Sequence, residues 1–136
     1  MPKVSVERTL AQTKQAVLGG LARYNNEKMG KQTYRRFAVS LRDKDEIVGG
    51  IVGELWTVVL YIQYFWMEQK FRKKGFGAKL IEAIEDEARR FGATRAYVDT
   101  MSFQAPGFYR ANGYEEFGSI EGYPGGVTRH WLTKAL

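Results

Sequence analysis

Chemistry in this chain gathers around one stretch, Phe65-Trp66-Met67-Glu68-Gln69-Lys70-Phe71-Arg72-Lys73-Lys74-Gly75-Phe76-Gly77. An apolar run ends at Met67. A basic, glycine-punctuated turn follows, and then an amphipathic segment that reaches about Phe91. A strand that leads through such a turn into a helix N-terminus binds anions, because free backbone N–H groups point out of the turn and the helix dipole adds roughly half a positive charge. Gly75 and Gly77 lack a Cβ, so a phosphate can approach the backbone there. Arg72, Lys73 and Lys74 bring mobile positive charge to the same spot. The glycine pattern is too short for a dinucleotide fingerprint and lacks the Gly-Lys-Ser/Thr ending of a nucleotide-triphosphate loop.

The elements that must position this turn follow from periodicity. Lys3 to Glu7 is expected as a short opening strand. Thr9-Leu10-Ala11-Gln12 is a capping-box pattern. Leu10, Ala11, Val17, Leu18, Leu21 and Tyr24 then fall on one helical face, with a kink or break expected at Gly19-Gly20. Strands are expected over Tyr34 to Arg42, Glu46 to Leu55 and Thr57 to Met67, the last apolar on both faces as in a central strand. Gly49, Gly50 and Gly53 inside the second of these suggest a bulge or a close backbone approach. Lys74 to Phe91 is the main helix, with Leu80, Ile81, Ile84, Ala88 and Phe91 buried, and Glu82, Glu85, Asp86 and Glu87 facing water. Arg95 to Met101 is a strand, Ala105 to Asn112 a short helix with Pro106 in its first turn, and Glu115 to Ile120 and Thr128 to Lys134 close the chain. The order β-α-β-β-β-α-β-α-β-β describes an α/β or α+β single domain, residues 1–136, with a mixed sheet and helices on it.

Composition narrows the function. A chain of 136 residues, 44% hydrophobic and 26% charged, fits one globular domain with one core. With no cysteine and one histidine, His130, neither a disulfide framework nor a thiolate or histidine metal site is expected. No signal-peptide run or membrane span is apparent, so a soluble, cytoplasmic protein without a membrane partner is the default expectation. The net charge of +6 suits an anionic partner. Its tightest cluster is Lys70, Arg72, Lys73, Lys74 and Lys79, at the proposed phosphate turn, whereas Lys31, Arg35 and Arg36 read as a solvated edge. No RNP-like pattern, helix-turn-helix or metal finger supports a nucleic-acid-binding module, the weaker alternative.

Arg72-x-x-Gly75-x-Gly77, set between a strand and a helix, resembles the acetyl-CoA pyrophosphate loop of the GCN5-related N-acetyltransferase (GNAT) family. The element order extends the resemblance over about Val4 to Leu136. The segment Ser102-Phe103-Gln104-Ala105-Pro106-Gly107-Phe108-Tyr109 is similar to the family's downstream Asn-x-x-Ala-x-x-Phe-Tyr pattern, with Ser102 where the family often has Asn. The segment Phe108-Tyr109-x-x-Asn112-Gly113-Tyr114 resembles its ending. The resemblance implies that the strand before the loop splays away from the strand after the main helix, with the pantetheine arm of acetyl-CoA in the gap. Backbone groups of Phe65 and Met67 would pair with that arm. Arg72 and the amides of Lys73, Lys74, Gly75, Phe76 and Gly77 would hold the pyrophosphate, and Ser102, Ala105 and Phe108 would line the cofactor's other side. Anchoring the long non-reacting handle supplies binding energy for orienting the thioester.

Acetylating an amine needs a neutral nucleophile, and a carboxylate can take its proton directly or through water. Glu68, just past the strand end, is the leading base, with a solvated carboxylate of a basic loop as its other reading, and Asp99 is the second candidate, with a structural carboxylate as its other reading. Tyr109, placed by the family pattern, can donate to the departing thiolate. His130 reads as a packing or surface residue. Tyr123 and the Pro124-Gly125-Gly126 turn are candidates to rim an acceptor pocket and Trp56, Tyr61, Tyr64 and Trp66 to line it, where a cationic amine can sit against the rings, with core packing as the other reading of most of them. The expected function is transfer of an acetyl group from acetyl-CoA to a primary amine of an unidentified small molecule or peptide by direct attack in a ternary complex, without a metal. The alternative within the fold is a non-catalytic acyl-CoA sensor. The resemblance also implies association through the outer strands, as in a homodimer.

Overall fold

A computed structural model describes all residues, 1–136. The chain divides into two units, residues 1–32 and 33–136.

The first unit holds one helix, α1 (Ala11–Met29). Residues 3–7 form no strand; an extended segment needs a partner edge, and none pairs with it. Leu10 occupies the N-cap position with no side-chain cap, so the Thr9 capping box is not made. The helix runs unbroken through Gly19-Gly20, contrary to the expected kink. Glycine there weakens a helix by about 1 kcal/mol per residue but removes no hydrogen bond from its ladder. Gly30, at φ +76°, ends it with its N–H on the Asn26 carbonyl at 2.9 Å.

The second unit is a six-stranded sheet. In chain order it comprises β1 (Tyr34–Asp43), β2 (Glu46–Trp56), β3 (Val59–Met67), α2 (Phe76–Arg90), β4 (Arg95–Met101), α3 (Pro106–Ala111), β5 (Glu115–Tyr123) and β6 (Val127–Ala135). The strands lie in the order β1-β2-β3-β4-β6-β5. Only β3 and β4 pair in parallel, since α2 carries the chain across between them. The expected mixed α/β architecture is therefore present, without the opening strand.

The core lies between one sheet face and α2. Ile51 and Leu55 of β2, Leu60 and Ile62 of β3, and Leu80, Ile81, Ile84 and Ala88 of α2 are all buried. Two expectations for α2 fail. Glu85 is buried at 2% exposure rather than facing water, because it stands four residues after Ile81 on the apolar stripe. Its carboxylate accepts the Tyr114 hydroxyl at 2.7 Å and the Lys134 ammonium at 3.0 Å. Phe91 lies past the last turn of α2, is exposed, and stacks on Phe37 with centroids 5.7 Å apart.

The β2 glycines make room for neighbouring strands and α2. A Cβ on Gly50 would stand 2.9 Å from the Val39 carbonyl oxygen, and one on Gly49 3.0 Å from that of Trp66. At Gly53 a Cβ would meet Leu60 Cδ1 and the Tyr61 carbonyl oxygen at 3.0 Å and Ile84 Cδ1 at 3.1 Å. Gly53→Ala should destabilise the fold by about 1–3 kcal/mol through overpacking, read as a lowered denaturant midpoint at unchanged m-value.

A bulge beside Gly53 reorients the end of β3. Val52 opposes Tyr64 while Gly53 opposes Ile62, which leaves Gln63 as the extra residue. Side chains alternate in a strand, so the extra residue exchanges the two faces. Leu60 and Ile62 point to the α2 side before the bulge; Phe65 and Met67 do so after it, and Tyr64 and Trp66 are exposed on the opposite face.

Candidate functional site

The site starts from a pairing that stops early. β3 and β4 are in register only from Val59↔Arg95 to Ile62↔Val98. Beyond that point β3 stays with β2 as far as Met67↔Gly49, and β4 stays with β6 as far as Met101↔Arg129. The two strands part into a fork. The Glu68 N–H donates to the Val48 carbonyl at 2.8 Å on the β2 side. Backbone groups alternate between a strand's two edges, so those of Phe65 and Met67 turn toward the gap.

The gap ends at the basic turn. Met67's carbonyl accepts Arg72 Nε at 2.9 Å, which ties the turn back to the strand. Glu68 opens a short 3-10 turn over Gln69–Phe71 and is half-buried. Lys73 (φ +62°) and Gly75 (φ +86°) are both left-handed, and Gly75 is the N-cap of α2. No side chain caps that helix end, so the amides of its first turn, from Phe76 onward, are open to an anion. Lys73, Lys74 and Gly75 are exposed around them.

The two glycines serve different ends. Nothing lies within 4 Å of a Cβ built on Gly75; its conformation is what requires glycine. At Gly77 the missing Cβ makes room for an aromatic ring rather than for a phosphate: it would stand 3.0 Å from Phe108 Cε1, and 3.5 Å from Phe65 Cζ. Phe76 begins α2 with its ring edge-on to Phe71, centroids 6.3 Å apart.

On the far side of the gap, α3 presents Phe108 and Tyr109. Phe65 packs on both, with ring centroids at 5.4 and 6.4 Å. Tyr109 is buried. Burial first, and the charge of Asp99 second, push its phenol from the ordinary 10 to about 12, so it stays a proton donor. Ala105 precedes α3, its N–H on the Thr100 hydroxyl at 3.4 Å. The Ser102 hydroxyl accepts the Thr128 N–H at 3.1 Å, prolonging the β4–β6 pairing.

Sequence reasoning overlooked Gln104. Its Oε1 accepts the Met101 N–H at 2.7 Å and the Thr100 hydroxyl at 3.3 Å, fixing the link between β4 and α3. An amide side chain just before a helix-opening proline was the available signal.

Asp99 begins the diverging part of β4. Its Oδ2 accepts the Tyr61 hydroxyl at 2.7 Å and its Oδ1 accepts Arg129 Nε and Nη2 at 3.1 and 2.7 Å. With both oxygens engaged it ties β3, β4 and β6 together at the crotch of the fork, which matches its structural reading. The Tyr61 phenol is pushed up by burial and by that bond. Arg129 is raised by Tyr123 and then Asp99, so Tyr123 borders this cluster. His130 bonds Glu116, which also takes Arg110 at 3.1 Å, and has no place in the gap.

A fork beside an uncapped helix N-terminus, with a protonated tyrosine across the gap, defines a class, and comparison with known proteins agrees. The family model for the acetyltransferase (GNAT) family matches residues 9–114. The chain is 40% identical over 95 residues to a blasticidin-S acetyltransferase of Streptomyces morookaense, covering 69% of this chain and 70% of that protein. It is 31% identical over 125 residues to acetyltransferase Atu2258 of Agrobacterium fabrum, covering 91% of each. An acetyltransferase crystal structure from Bacillus cereus superposes with a TM-score of 0.89 at 28% identity, covering 98% of both chains. The chain belongs to the GNAT family and is an enzyme of that class, the acetyl-CoA-dependent N-acetyltransferases.

Proposed function

We propose that the protein transfers the acetyl group of acetyl-CoA to a primary amine of a small molecule, by direct attack in a ternary complex. The observation that carries this is the β3/β4 fork opening onto the uncapped start of α2. The pantetheine arm lies in the fork against the gap-facing backbone of Phe65 and Met67. The pyrophosphate rests on the amides from Lys73 to Gly77, with Arg72, Lys73 and Lys74 beside it. Phe108 and Ala105 close the far side, and Ser102 contributes by holding β4 to β6.

The amine attacks the thioester carbonyl, a tetrahedral intermediate forms, and the C–S bond breaks. Glu68, directly or through water, takes the proton the amine loses, and Tyr109 returns one to the thiolate sulfur. A gap-facing backbone N–H polarises the carbonyl as charge develops on its oxygen. The family match runs across both units, which supports reading residues 1–136 as one acetyltransferase domain. No helix is long and apolar enough to cross a membrane; a cytoplasmic location is part of the proposal. Blasticidin S is the first acceptor to try, on the strength of the Streptomyces relative.

Calorimetric titration with acetyl-CoA tests the cofactor site. Wild-type protein should bind in the micromolar range. Gly77→Val, which drives side-chain carbons into Phe108 and Phe65, should weaken binding at least tenfold. A panel of amines monitored for thiol release then tests transfer. An absence of acetyl-CoA binding by the wild type would sink the reading. Binding without transfer to any amine would favour the sensor.

A further inference from the structure

The sheet face opposite α2 carries a cavity of about 110 Å³ lined by Tyr34, Glu54, Trp56, Val59, Tyr61 and Tyr97. Register explains why these meet. Tyr34 pairs with Trp56 across β1 and β2, Glu54 with Tyr61 across β2 and β3, and Tyr61 with Tyr97 across β3 and β4. Tyr61 and Tyr97 stack with centroids 4.7 Å apart, forming one wall. The single carboxylate, Glu54, is only 15% exposed in its side chain. Its Oε2 accepts the Tyr34 hydroxyl at 2.6 Å and its Oε1 accepts Arg36 Nε at 3.1 Å. The protein's own guanidinium thus already sits on this carboxylate. Arg36 is 76% exposed, so its hold on Glu54 is a solvent-screened ion pair open to competition. A carboxylate oxygen has two acceptor directions, so Glu54 can take a ligand donor beside Tyr34 and Arg36.

Aromatic walls around one carboxylate suit a compact organic cation, through ring faces and a charge-assisted bond together. The cavity also stands in line with the fork. Tyr61 directly precedes Ile62, the last β3 residue paired with β4. At about 3.3 Å per residue, the gap at Phe65 lies roughly 10–13 Å further along the strand. We infer that the cavity anchors the far end of the acceptor: the substrate class is a dibasic small molecule, with a guanidinium or similar compact cation held by Glu54 and its nucleophilic amine roughly 10 Å away at the fork. This rests on the acetyl-transfer reading and adds the acceptor's second charge to it.

The test uses the full chain and two ligand pairs. The first pair carries no nucleophile: an alkylguanidinium and the alkylurea of equal length, titrated calorimetrically. The guanidinium should bind at least tenfold tighter than the urea. Glu54→Gln, nearly isosteric, should erase that preference, with thermal melting confirming the fold. Arg36→Ala should instead tighten guanidinium binding severalfold by removing the internal competitor, a change that a purely structural Glu54 would not produce. The second pair is the corresponding guanidino-alkylamine and ureido-alkylamine as acceptors, with about eight methylenes to span the gap. The guanidino compound should show the lower KM at similar kcat, and Glu54→Gln should remove the difference. Equal affinity for guanidinium and urea, or a preference that survives Glu54→Gln, overturns the anchoring inference. Turnover of both amines without discrimination overturns it while leaving acetyl transfer standing. Guanidinium binding without turnover of either amine leaves the cation site standing and overturns its assignment to the acceptor.

Discussion

Lys134→Met should lower stability by about 3 kcal/mol and the melting temperature by roughly 10 °C. The reason lies in Glu85, which α2 carries into the core at 2% exposure. Its carboxylate has two partners there, the Tyr114 hydroxyl and the Lys134 ammonium. Removing the ammonium leaves a buried charge with one neutral donor, and breaking a buried pair in this way typically costs about 3–5 kcal/mol. Lys134 keeps a quarter of its side chain exposed, which favours the lower figure. The double variant Glu85→Gln/Lys134→Met removes the charge as well, keeps a donor–acceptor partner for Tyr114, and should recover most of the loss. Chemical denaturation of Glu85→Gln, Lys134→Met and the double variant checks this. Additive losses in the double variant would show that the pair is not coupled.

Tyr109→Phe should lower kcat by about 100-fold while acetyl-CoA affinity changes less than threefold. General-acid assistance is commonly worth about 10²–10⁴ in rate, and phenylalanine preserves the ring packing against Phe65, Phe108 and Tyr114. Steady-state kinetics beside calorimetry separates the two effects. A kcat within threefold of wild type would remove Tyr109 from the chemistry. The same residue predicts a pH effect on stability. Its folded value near 12 lies above the ordinary 10, so the folded state holds the proton more tightly than the unfolded chain. The contribution is complete below pH 10 and is lost as pH rises from about 10 to about 12. Tyr61 and Tyr114 are raised in the same direction, so it is the difference between wild type and Tyr109→Phe in that window that isolates Tyr109.

Local chemistry made much of this protein legible in its sequence. The apolar run to Met67, the turn through Arg72 and Gly75, and the periodic stripe of Leu80, Ile81, Ile84 and Ala88 each depend on residues within a few positions of one another. Turn preferences and a 3.6-residue period therefore suffice to mark the strand, the basic glycine turn and the helix, and the resemblance of Arg72-x-x-Gly75-x-Gly77 and Phe108-Tyr109 to known motifs points to the family.

What only the tertiary structure decided depends on register and on residues far apart in the chain. Nothing within β3 or β4 alone states that their pairing ends at Ile62↔Val98, yet that ending makes the gap. The extra residue at Gln63 exchanges the faces of β3, so Phe65 joins the α3 aromatics while Tyr64 and Trp66 turn outward. Gly77 reads locally as room for a phosphate, but Phe108, 31 positions on, fills that space. Glu85 reads as solvated within a run of acids until Lys134 and Tyr114 arrive from β6 and the segment before β5. Glu54 gains its meaning from Tyr34, Tyr61 and Tyr97 on three neighbouring strands. A side chain's period fixes which way it points along its own element; what it then meets is set by the strand or helix brought alongside, and that information is spread over the whole chain.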